Sequence, residues 1–276
     1  MRNIALIAGK EFRDGLRNRW VIAITLLLAV FALTLSFLGS APAGAVKGSA
    51  LAITVVSLSS LSIFLVPLIA LLLSYDAIVG EIERGTMALL LSYPVSRQEV
   101  IIGKFAGHCM ILGVATLVGY GVAGVLVQWL RGDGMDAGWG PFLMLVGSSV
   151  LLGASFLALG YLVSTVVRER ATAAGMAIGV WLFFVLIYDM ALLGGLVADG
   201  GRWLTPGIVT GLLLSNPADV YRLLNLSGFS SVGALSGMAD LGEHLAISPV
   251  GLFGMLVLWV CAPFSLALLL FRRKQI

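Results

Sequence analysis

Cysteine, histidine and charge are all scarce in this chain. Its 276 residues include 2 cysteines and 2 histidines, and only 11% of residues are charged. Cys109 and Cys261 each sit inside an apolar run, with no CxxC pair and no zinc-type spacing, so they offer neither a disulfide framework nor a zinc site. Unpaired cysteine in such a run acts as a small apolar residue. His108-Cys109-Met110 is a tempting soft-ligand triplet for copper. On a helix, however, adjacent side chains point about 100° apart and do not converge on one ion. His244 and Met238 make a similarly weak pair. Ser155, in Gly153-Ala154-Ser155, lacks the histidine that a serine nucleophile needs, because both histidines lie near or beyond the ends of apolar runs. The paucity of charge excludes a soluble protein of this size. With 59% hydrophobic residues and a mean hydropathy of +1.05, the chain reads as a polytopic membrane protein. Its net charge of +3 then reports topology and anionic lipid, not nucleic acid.

What is present is a set of long apolar runs. About 20 apolar residues, rising 1.5 Å each, cross a hydrocarbon core of ~30 Å. Six runs qualify, at approximately 20–40, 52–76, 105–130, 141–167, 172–198 and 249–271. Each is expected to be helical, because lipid offers no partner for open backbone groups. Pro67 and Pro263 are expected to kink their spans without ending them. Ahead of the first run, Ile4, Ala8, Phe12 and Leu16 repeat every fourth residue among Arg2, Lys10, Arg13, Arg17 and Arg19. That stripe with a basic face predicts a helix lying in the membrane surface over residues 1–19. The apolar run behind it exceeds the roughly 7–15 residues of a signal-peptide core, so a retained first span is expected.

Of the 17 basic residues, 13 fall on one side of these spans, and only Lys47, Arg131, Arg202 and Arg222 fall on the other. Both termini are therefore expected in the cytoplasm, with the segment between the second and third spans. That segment, SYDAIVGEIERGTMALLLSYPVSRQEVIIGKF, holds Asp76, Glu81, Glu83, Arg84, Arg97, Glu99 and Lys104. Ile78, Ile82, Leu89 and Leu90 recur at helical spacing and predict a short amphipathic helix, with the acids facing elsewhere. Gly85 loosens its middle, and Pro94 ends it. Ser96, with Glu99 three residues on, has the spacing of a capping box. Gly103-Lys104 is not a phosphate loop: Gln98 stands where the first glycine belongs, and Phe105 where Ser or Thr does.

GEIERGTMALLLSYPVSRQEVIIGK resembles the cytoplasmic coupling segment of ABC-2 type permeases. The resemblance rests on Glu81, Glu83, Gly85, Thr86, Leu90, Leu91, Pro94, Val95, Ser96, Arg97, Gly103 and Lys104. It implies an all-α membrane protein: one six-helix transmembrane domain over 1–276, with an N-terminal elbow helix, a cytoplasmic coupling helix within 77–104, and short extracytoplasmic helices within 199–248. It implies a homodimer driven by a separate cytoplasmic ATPase dimer, which would dock on Glu81, Glu83, Arg84, Gly85, Thr86, Pro94 and Arg97. ATP and magnesium would be bound by that partner, with no cofactor on this chain and no enzymatic activity of its own. In the family, spans two and five line the central path, which would bring Ser57, Ser60, Tyr188 and Asp189 to it. Asp189 is an independent candidate, because an ionisable residue inside a span is costly unless it faces a bundle interior or an aqueous cavity. A shorter span five, with Asp189 at the outer headgroups, is the alternative. The serines of span two, Ser57, Ser59, Ser60 and Ser62, serve equally to tie helices together. Ala171, Gly175 and Gly179 form a small-residue seam that lets a helix approach closely.

Residues 199–248 are too polar to span and too apolar to be disordered. Asn216 has the character of an N-cap, with Pro217 at the first helical position and Asp219 in the first turn, predicting a half-buried helix at the outer surface. Asp219, Tyr221 and Arg222 on it are candidate contacts for an outside partner. Over nearly its full length, including LLLSNPADVYRLLNL, the chain is also similar to permeases that serve maturation of the copper sites of nitrous oxide reductase in the bacterial cell envelope. That likeness implies inner-membrane residence, a periplasmic partner on the outer segment, and a sulfur-containing cargo or a purely conformational output. An exporter of a lipid, drug or other amphiphile, and a non-transporting assembly scaffold, remain rival readings at this level.

Overall fold

A computed structural model describes residues 2–17, 19–38, 50–131, 139–199, 204–227 and 248–274. Met238 and His244, and Lys47 and Arg202 from the charge count, lie outside these residues. The described residues are almost wholly helical. α1 (Arg2–Leu16) and α2 (Arg19–Leu38) meet at an angle of 69°. α3 (Ala50–Ser74) is followed by the short helices α4 (Val79–Glu83) and α5 (Thr86–Leu91). Next come α6 (Arg97–Arg131) and α7 (Trp139–Val166). α8 (Arg170–Leu182) runs through one π turn, Phe183–Ile187, into α9 (Tyr188–Asp199). α10 (Pro206–Leu214), α11 (Pro217–Ser227) and α12 (Pro249–Arg273) complete it.

Five helical stretches among the described residues are long and apolar enough to cross a membrane; α2 adds a sixth if its bent pair with α1 counts as one span. These coincide with the six runs read from the sequence. The spans beginning with α3 and α12 continue through Pro67 and Pro263. α7 is the central post, buried along nearly its whole length and packed between α3 and α12. α1 lies along the N-terminal part of α6 in a notch left by two glycines. A Cβ at Gly103 would stand 2.8 Å from Ile7, and one at Gly107 would stand 2.6 Å from Glu11.

The segment between spans two and three differs from the single helix expected. It is two short helices, because Gly85 takes the left-handed conformation (φ +72°). That conformation costs an L-residue roughly 1–2 kcal/mol, so Gly85 breaks the helix outright. The capping box is present: Ser96 N donates to Glu99 Oε2 at 2.9 Å, and Glu99 N donates to Ser96 Oγ at 3.2 Å.

α11 also departs from expectation. Asn216 caps it as read, accepting from Ala218 N at 3.0 Å. The helix does not rest half-buried at the surface, however. Pro217, Ala218, Asp219, Val220, Tyr221, Leu224 and Asn225 are all buried, against α3, α7 and α12. The reason is chemical: its polar side chains find partners inside. Tyr221 shares a 2.9 Å hydrogen bond with Ser149, and Asn225 Nδ2 donates to Ser148 Oγ at 2.9 Å. Asn216 Nδ2 donates to Phe184 O, in the π turn, at 2.9 Å. A π turn disturbs the regular ladder, and Asn216 supplies a donor there.

Candidate functional site

Charged residues gather at one face of the bundle, where α7 ends, α6 and α8 begin, and α4 and α5 lie. α4 begins with backbone amides that have no partner in their own helix. Ser164, from the end of α7, accepts from both Ile78 N (3.0 Å) and Val79 N (3.1 Å). A residue more than eighty positions away thus does the work of an N-cap. At the other end of α4, Glu83 Oε1 accepts from Arg170 N at 2.7 Å, placing a carboxylate on the N-terminus of α8. Arg170 in turn pairs with Asp76 at 2.9 Å, while Arg84 reaches the same carboxylate oxygen only at 4.0 Å.

Glu81 faces inward. Lys104 Nζ lies 2.7 Å from Glu81 Oε1 and 2.7 Å from Glu11 Oε1, joining α4, α6 and α1. Lys104 is 3% exposed, so it needs both acids. Burial on its own would raise the Glu11 carboxyl; Lys104 foremost, then His108 and Lys10, outweigh it and hold that carboxyl below its ordinary range. His108 sits 3.8 Å from Glu11 and hydrogen-bonds Tyr161 at 2.9 Å through Nδ1. It is buried, whereas Cys109 is half-buried and Met110 exposed, so the triplet scatters as its helical spacing requires.

Arg97 is half-buried and reaches the end of α12. Its Nη1 donates to Phe271 O (3.4 Å), Arg272 O (3.3 Å) and Lys274 O, closing the C-terminus of α12. Lys274 Nζ donates to Thr165 O (2.7 Å) and Val167 O (2.8 Å) at the end of α7. The exposed part of the segment takes in Glu83, Arg84 and Gly85 and runs on to the tip. Thr86 and Pro94 are exposed there, and the apolar side chains of Leu89 (66%) and Tyr93 (63%) stand in the open. Thr86 Oγ1 donates to Glu81 O at 3.2 Å across the Gly85 turn.

A second cluster occupies the far end of span five. Arg222 Nη2 donates to Asp189 Oδ2 at 2.7 Å, and its Nη1 to Asp219 Oδ1 at 2.8 Å. α9 continues from Asp189 to Asp199, so the helix does not stop at the acid. Tyr188 donates to Leu212 O at 2.7 Å. Ser62 shares a 2.6 Å hydrogen bond with Tyr120, the helix-tying use of a span-two serine. Ser57 is half-buried and Ser60 exposed. Of the three residues expected to meet an outside partner, Asp219 and Tyr221 are buried within this chain, which leaves only Arg222 with some surface.

A family model described as "ABC-2 family transporter protein" matches residues 5–276. The chain belongs to the ABC-2 transporter family. It is 48% identical over 272 residues, 98% of each chain, to a probable ABC transporter permease protein NosY of Pseudomonas aeruginosa. It is 45% identical over 279 residues, 99% of each chain, to a protein of the same name from Stutzerimonas stutzeri. The chain is thus a multi-pass permease subunit of an ABC transporter, and membership implies an ATPase partner and a dimeric arrangement. Sequence reasoning missed Ser164, Arg170 and Lys274 as parts of the site around α4 and α5. Polar or basic side chains at the ends of spans four, five and six were the available signal.

Proposed function

We propose that this permease forms a homodimer in the bacterial inner membrane with both termini cytoplasmic, and that residues 77–104 couple it to a NosF-like ATPase dimer. In this reading α1 is the elbow helix, and α4 and α5 form the coupling element. A NosD-like periplasmic subunit sits on the outer segment, and the assembled complex serves maturation of the copper sites of nitrous oxide reductase. The observation that carries the reading is the contrast within α4 and α5. The base is fastened by Ser164, Lys104 and Arg170, while the tip offers uncovered apolar side chains, Leu89 and Tyr93. A segment built only to connect two spans has no use for a rigid base under an apolar tip. ATP and magnesium belong to the partner.

The face of α8 and α9 supports the dimer. Little of the helix Arg170–Asp199 is buried within the single chain, and Gly175 and Gly179 meet nothing within 4 Å. α11 fills the interior of the single bundle, so a path, if cargo moves, runs along Asp189 between two copies. The test is Leu89→Asp with Tyr93→Ala. The expected result is loss of the co-purifying ATPase, and of the copper spectrum of nitrous oxide reductase made in such cells, while the permease still inserts. Full ATPase recovery with both changes in place overturns the coupling reading.

A further inference from the structure

Span five is poorly held by packing, yet its cytosolic end is tied by two separate contacts to α4 and to the turn that leads into it. Glu83 Oε1 accepts the Arg170 amide at 2.7 Å, and Asp76 Oδ2 takes the Arg170 guanidinium at 2.9 Å. The guanidinium also lies across α4 itself: a Cβ on Gly80 would stand 3.3 Å from Arg170 Nε. Beneath it, Val79 of α4 and Ala173 of α8 share one buried cluster with Val163 and Val167. Farther along α8, Gly175 and Gly179 are exposed, Ala177 is buried in the main core, and Trp181 Nε1 donates to Phe64 O at 2.9 Å.

We propose that Arg170 is a positioning residue that makes span five follow the cytosolic segment, bypassing the helices on either side of that segment in the chain. The inference rests on the coupling reading above and names the joint through which that coupling reaches the transmembrane dimer. Rigid elements move together when the contacts between them outlast the motion. Here a carboxylate seated on a helix N-terminus and a charge-assisted pair act on the same residue. A displacement of α4 therefore carries the first turn of α8 with it. Both α3 and α6, by contrast, are pinned along their lengths by α7 and α2.

The experiment uses the complete permease–ATPase complex, with Cys109 and Cys261 replaced by alanine. Spin-label pairs at Ser92 and Val166 report the cytosolic segment, and pairs at Met176 and Leu117 report span five. Distances are compared without nucleotide and with ATP plus vanadate. In the otherwise unsubstituted complex both pairs are expected to shift. Arg170→Ala removes the Asp76 pair and keeps the backbone bond to Glu83, so the Ser92 shift is expected to remain while the Met176 shift is reduced. Arg170→Lys, and the exchange Asp76→Arg with Arg170→Asp, are expected to restore part of it. If Arg170→Ala does not insert, Asp76→Asn carries the same expectation. An undiminished Met176 shift in the variant overturns the inference. Absence of any Ser92 shift before substitution sinks the coupling reading instead, and this inference with it.

Discussion

The Lys104 ammonium lies 2.7 Å from the Glu81 carboxylate, with the Lys104 side chain only 4% exposed. Glu81 is therefore a structural anchor that points into the protein, with Glu11 completing the pair of acids around one cation. Removing one partner of a buried pair leaves an uncompensated charge and costs about 3–5 kcal/mol. Lys104→Met is expected to lower the thermal unfolding midpoint in detergent more than Glu81→Gln does. Adding Glu81→Gln to Lys104→Met should recover part of the loss, and strict additivity of the two changes would contradict the pairing.

Acid should loosen the surface helix. Glu11 titrates below its ordinary value of 4.5, the net result of burial opposed by Lys104 and its neighbours. A carboxyl depressed by folding stabilises fully above the unfolded value, and that stabilisation is lost as pH falls through the folded one. Fluorescence from a probe at exposed Leu6 should report release of α1 on acidification below the ordinary carboxylate range. Glu11→Gln should remove that dependence. A Glu11→Gln profile identical to that of the unsubstituted chain would contradict this.

Ser164→Ala deprives Ile78 N and Val79 N of their acceptor. Loss of an N-cap costs about 1 kcal/mol. Hydrogen exchange at both amides should accelerate, with helices far from α4 unaffected. Unchanged protection at the two amides would mean that water replaces the hydroxyl without cost.

The outer cluster gives an asymmetric expectation. Asp219 is 2% exposed at its side chain and Asp189 is 23% exposed; both pair with Arg222, and Asp219 also accepts from Asn216 Nδ2 at 2.9 Å. Arg222→Ala should destabilise by about 2–5 kcal/mol because it takes the paired cation from a buried carboxylate and leaves it only the Asn216 donor. Asp189→Asn should cost less than that in thermal stability. If the acid also lines a path, Asp189→Asn should impair reductase maturation beyond its effect on stability.

Much of this architecture was legible in the sequence, and the reasons are local. The spans follow from hydropathy alone, since lipid forces the backbone into helices wherever a run is long enough. The Ser96–Glu99 box and the Asn216-Pro217 start were readable because each bond joins residues two or three apart. Where the reading fell short, the partner was remote. Nothing near Glu81 in the chain says that Lys104 will hold it inward, and nothing near Ile78 names Ser164. The outer helix α11 was misplaced for the same reason: Tyr221 and Asn225 look like surface polarity until Ser149 and Ser148 stand opposite them. Gly85 was underestimated because glycine in a helical pattern reads as a weakness, and only the backbone shows it turned left-handed.

The clasp between Arg97 and the residues after Phe271 carries a consequence for biosynthesis. Translation delivers the first-half arginine long before the carbonyls it will grip. Until those carbonyls, and the lysine that seals the neighbouring post, leave the ribosome and the final helix is inserted, this underside stays unbuttoned. A polypeptide stopped short of Arg272 would thread its membrane helices and still leave this end of the bundle unfastened.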